Sequence, residues 1–157
     1  MRRQRMLGAA LALTVTGVAL VGGGQAWAAG PKGKVLCTTI TGNSGSTVTL
    51  SGCTGSANTG GSSMPIPVAS LAAGGTVTWI NGKTSTFSAA TIVGTKPKKC
   101  PGYVKGAPDS QQPSAIKFSG TVNADTSGMK IPGKYKGAVC IANPSGDITT
   151  LKPLKAN

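Results

Sequence analysis

The chain contains no histidine and no glutamate, and its only arginines are Arg2, Arg3 and Arg5. Its acidic side chains are three: Asp109, Asp125 and Asp147. Each shortage closes off a chemistry. Without imidazole there is no Ser-His-Asp or Cys-His route to an activated nucleophile, and no histidine-bearing zinc site. Without glutamate, and with the aspartates scattered through segments of turn composition, the carboxylate pair of a glycosidase is missing. Arginine confined to the first five residues leaves the rest without the guanidinium fork that reads base edges, so sequence-specific nucleic-acid binding is not expected. None of the 24 glycines stands in the strand–Gly-x-x-x-x-Gly-Lys–helix context of a phosphate loop. Two Ser-x-x-Lys matches occur, Ser114 to Lys117 and Ser127 to Lys130. The first enters a strand pattern, where side chains alternate and its Lys faces away from its Ser. The expectation is a protein that is not an enzyme and uses no metal or cofactor.

Large apolar side chains are also scarce. Val, Ile, Leu and Phe make up about 18% of residues 29–157, a thin supply for a single core. Small exported domains with thin cores are commonly cross-linked, and Cys37, Cys53, Cys100 and Cys140 answer that need at about 2–4 kcal/mol per bridge.

What is present begins with an export signal. Arg2, Arg3 and Arg5 form a positive n-region, Leu7 to Val21 an uncharged apolar run, and Ala26-Trp27-Ala28 a small-x-small cleavage site. The apolar run is shorter than the roughly 20 residues of a membrane anchor. Residues 1–28 are therefore expected to be a signal peptide cleaved after Ala28, leaving a secreted, extracellular product without a membrane span. Segment 29–34 reads as flexible, 35–152 as one β domain, and 153–157 as a C-terminal tail. Loss of the leader removes every arginine and leaves thirteen lysines against three aspartates, a net charge of +10.

The domain is rich in Thr, Val, Ser and Gly without helical spacing, which is strand composition. Val35 to Thr41 and Thr47 to Cys53 read as a hairpin; pairing Ile40 with Leu50 sets Cys37 opposite Cys53, within reach of a cross-strand bridge. Of three possible pairings, Cys37–Cys53 is favoured by this register, and Cys100–Cys140 follows by elimination. Thr76 to Ile80 and Lys83 to Ser88 flank Asn81-Gly82, a strong hairpin signal, with Val77 and Trp79 on one face. Ala115 to Asn123, Tyr135 to Ala142 and Asp147 to Leu151 complete the set. Gly55 to Pro67 and Thr95 to Pro113 read as loops. About seven or eight short strands with two disulfides imply an all-β fold, a small β-sandwich or Greek-key barrel.

The early Cys37, Ser51-Gly52-Cys53, Thr78-Trp79-Ile80-Asn81-Gly82-Lys83-Thr84 and the late Cys100 and Cys140 resemble the small secreted two-disulfide β proteins of actinobacteria. That likeness implies export and a β fold, and brings no activity with it. In outline the chain is also similar to subtilisin-inhibitor-like proteins, which are secreted, of similar size and carry two bridges. Cys100-Pro101-Gly102-Tyr103-Val104 looks like their reactive loop after a Cys-Pro pair, which would imply a protease inhibitor acting through the Cys100 to Lys105 loop. Gly102 at the specificity position and a longer second Cys spacing depart from that pattern.

The lysines are the remaining resource. Lys96, Lys98, Lys99 and Lys105 cluster around Cys100, and Lys130, Lys134 and Lys136 form a second group, with Lys152 and Lys155 beyond. Gathered on one face, the first two groups would attract an anionic envelope polymer or an acidic protein; scattered, they would serve only solubility and the protection of strand edges.

Overall fold

A computed structural model of the protein describes residues 33–157. The expected signal peptide, and all of segment 29–34 but its last two residues, lie outside the described residues. Among the described residues, nine strands form one antiparallel sheet: β1 (Val35–Asn43), β2 (Thr47–Gly55), β3 (Ile66–Pro67), β4 (Gly75–Thr78), β5 (Thr84–Phe87), β6 (Thr91–Thr95), β7 (Ser114–Asp125), β8 (Gly133–Ile141) and β9 (Asp147–Ala156). One short helix, α1 (Val68–Ala73), follows β3. The strand order is β3-β2-β1-β9-β8-β7-β5-β4, with β6 on the same edge of β7 as β5. The sheet nearly closes on itself, because a bridge between Ser63 and Trp79 joins its two ends. The fold is therefore all-β and barrel-like, with two disulfides. Neighbours follow chain order around it, a meander and not the return crossing of a Greek key. Among the described residues no helix is long and apolar enough to cross a membrane.

The first hairpin forms in the expected register, with Ile40 opposite Leu50 and Cys37 opposite Cys53, and both expected disulfides are present. The second hairpin turns one residue differently. The Trp79 N–H donates to the Lys83 carbonyl at 2.8 Å, which leaves Ile80, Asn81 and Gly82 as a three-residue turn, with Gly82 at φ +79° in the left-handed position such turns require.

Segment Gly55 to Pro67, expected to be a loop, closes the barrel. The Ser63 N–H donates to the Leu50 carbonyl (2.9 Å), and the Met64 N–H to Thr78 on the far side (2.8 Å). At the N-terminal end, Gly33 is held by Met129 through an isolated bridge. At the other end β9 runs on to Ala156, and Leu154 and Ala156 are buried. The expected flexible start at 33–34 and tail at 153–157 are thus, where described, part of the folded domain.

Inward-facing side chains build one core around Leu50, Val77, Trp79, Phe87, Val122 and Tyr135. Polar groups inside are satisfied in series. The Trp79 Nε1–H donates to Ser85 Oγ (2.6 Å), and Ser85 donates to Asp125 Oδ1 (2.5 Å). The Asp125 carboxylate also accepts from Ser127 Oγ (2.8 Å) and from the N–H groups of Gly128 and Met129 (2.5 and 2.7 Å). Phe87 meets Tyr135 edge-to-face at 4.9 Å, a favoured aromatic geometry.

Candidate functional site

Two features of β7, β8 and β9 stand out, one on each side of the wall they form. On β8, exposed Lys134 and Lys136 alternate with buried Gly133 and Tyr135. The pairing with β7 sets Thr121 beside Lys134, Ser119 beside Lys136, and Lys117 beside Ala138. The pairing with β9 sets Lys155 directly opposite Lys136, and Lys152 beside Ala138. Lys117, Lys134, Lys136, Lys152 and Lys155 therefore share one outward face. Strand and residue spacings make that face about 10 by 14 Å. All five are exposed.

The long Thr95 to Pro113 excursion is fastened to the upper end of the same face. Cys100 reaches Cys140, whose neighbour across the ladder is Ala115. These three, with Leu151, make a small second core outside the barrel. Exposed Lys98 and Lys99 immediately precede this anchor, Lys96 follows the end of β6, and exposed Lys105 lies further along the excursion. Exposed Lys130 lies at the opposite end, its N–H donating to the Gly33 carbonyl. Of the seven lysines expected from the sequence, Lys134 and Lys136 sit on the face itself. Lys98 and Lys99 are tethered to its edge through Cys100, while Lys96, Lys105 and Lys130 lie on segments leading away. Lys117, Lys152 and Lys155 complete the face; strand alternation on β7 was the signal for the first of them.

The aspartates do not answer these charges in the hydrogen-bond network. Asp125 accepts from serines and backbone, and Asp147 accepts from Asn43 Nδ2 (3.4 Å) and Ser145 Oγ (2.7 Å). Among the described residues no group of three or more His, Cys, Asp or Glu side chains could hold a metal ion.

The Cys100 to Lys105 loop is a series of turns. The Cys100 carbonyl accepts from Tyr103, and the buried Gln112 side chain accepts from the Val104 N–H (3.2 Å) and donates to the Val104 carbonyl. With both backbone groups of Val104 engaged internally, that residue has no free backbone edge to offer a protease strand.

Inside the wall lies the second feature. Ile116 and Phe118 on β7 and Ile141 on β8 point into the barrel, as their pairing with Val139, Gly137 and Ser114 requires, yet they are only half-buried. They line an apolar cavity of about 130 Å³ that also touches Leu71 and Ala72 of α1, Ala90 and Ile92. The Tyr135 ring borders it while its hydroxyl donates to the Ser88 carbonyl at 2.9 Å. Burial holds the Tyr135 phenol above its ordinary value of 10.0, and the nearby Ser88 side chain partly offsets the rise.

Compared with known proteins, the chain matches no family model, no curated protein and no solved structure.

Proposed function

We propose that the protein is an exported, non-catalytic adhesive module whose lysine face docks onto an anionic polymer of the cell envelope. The observation that carries this reading is the opposition of Lys136 and Lys155, with Lys117, Lys134 and Lys152 around them. Like charges directly opposite on neighbouring strands destabilise a sheet, so the arrangement gives folding nothing, and a polyanion lying across it removes the repulsion. Between the lysines stand Ser119, Thr121 and Ala138. None of these is the large aromatic or apolar anchor around which protein–protein interfaces concentrate their energy, which favours a repeating polymer over an acidic protein. Two disulfides fit an oxidising compartment, and the leader composition supports secretion.

Co-sedimentation with purified cell wall bearing phosphate polymers, across a salt series, tests the reading. Binding is expected to weaken steeply as salt rises, and the triple variant Lys117→Gln, Lys136→Gln, Lys155→Gln to bind at least tenfold more weakly. Lys83→Gln, just after the turn between β4 and β5, is expected to bind like the parent. Binding that is absent, indifferent to salt, or equally affected by Lys83→Gln would overturn the proposal.

A further inference from the structure

We infer that the open end of the barrel is a binding site for a small uncharged apolar molecule, about the size of one substituted benzene ring. This inference is independent of the lysine face, since it concerns the other side of the wall. Three observations carry it. Ile116, Phe118 and Ile141 face inward but remain half-exposed, so the interior at this end is reached from outside and is not covered by protein. The rim carries Ile92, 54% exposed, as well as Leu71 and Ala72, an apolar approach to an apolar hole. Lastly, the rings that could fill the space are held against the wall. Phe118 lies across Gly137 and Tyr135 across Gly120, so close that a Cβ at either glycine would come within 2.6 Å of the ring.

The lining selects the occupant. Among the described residues that line it, Ser44 and Tyr135 alone carry polar side-chain groups, and the Tyr135 hydroxyl is already committed to Ser88. A charged group or a peptide strand would lose its water partners there without replacement. Water finds few partners on such walls, and an apolar cavity of comparable volume suits a benzene-like molecule.

The full folded protein, labelled at its Ile and Leu methyl groups, is titrated with toluene and in parallel with benzoate while NMR shifts are followed. Saturable shifts at Ile116, Ile141 and Leu71 with toluene, and none with benzoate, are the expected result. Ala90→Phe, which plugs the mouth, is expected to weaken toluene binding at least tenfold with the folded spectrum retained. Should that variant not fold, Ala72→Phe at the outer rim serves the same purpose. Shifts that grow linearly without saturating, shifts as large at exposed Ile80 and Ile131 as in the cavity, or undiminished binding in the plugged variant would overturn the inference.

Discussion

Tyr135 brings a titratable group to a barrel that is otherwise apolar on that side. Because its phenol is held above 10.0 by burial, the folded chain keeps this proton more tightly than the unfolded chain does. Its contribution to stability is complete below pH 10 and is lost as pH rises through the raised value. The stability difference between the parent and Tyr135→Phe, from urea melts between pH 8 and 11, is expected to shrink as pH rises. At neutral pH the variant is expected to lose about 1 kcal/mol with the hydrogen bond to Ser88. Asp125 carries more. Its carboxylate gathers two serine hydroxyls and two backbone N–H groups, so Asp125→Ala is expected to cost about 3 kcal/mol or more in a urea melt. Asp125→Asn, which keeps one acceptor oxygen, is expected to cost less. The turn-forming character of this aspartate was legible in the sequence. Its link through Ser85 to Trp79 was not, because Ser85 and Asp125 stand 40 positions apart in the chain and leave no local pattern.

Among the elements, those with a buried face were readable and those without were not. Alternation located β1, β2, β7 and β8, and the opposed cysteines fixed the first register. β6 is exposed on both faces except at Thr95, so it carries no alternation to find, and β3 is only two residues long. β9 continues through Pro153, a residue that reads as a stop, and the irregular β8–β9 register around Ala138 hid the opposition of Lys136 and Lys155. Lys155→Gln is expected to raise stability by about 0.5 kcal/mol at low salt, the gain fading as salt is added; paired thermal melts would show it. The two bridges should separate in the same way. Cys100 and Cys140 lie 40 residues apart, against 16 for Cys37 and Cys53. Their replacement by alanine is expected to cost about 4 kcal/mol against about 3 for the shorter loop. It should also open the excursion to trypsin at Lys99 and Lys105, read by mass spectrometry.

For the molecule as a whole, net charge and lysine clusters were plain in the sequence, whereas the hollow end of the barrel was not. A cavity comes from what neighbouring strands fail to fill, and no single segment records that. Left empty, this apolar lining has no partner to pack against, so an occupant that binds the folded chain is expected to raise the melting temperature, measurable by calorimetry. β6 adds a further consequence, since among the described residues it is paired along one side only, by β7, with Val93 54% exposed. Two copies meeting at that strand in antiparallel fashion would each use up the only margin of β6 left to share, a two-fold arrangement that ends after a single step. Concentrated solutions at high salt, where mutual repulsion is screened, are expected to show dimers in sedimentation equilibrium without growth into fibres, and Val93→Lys to return them to monomers.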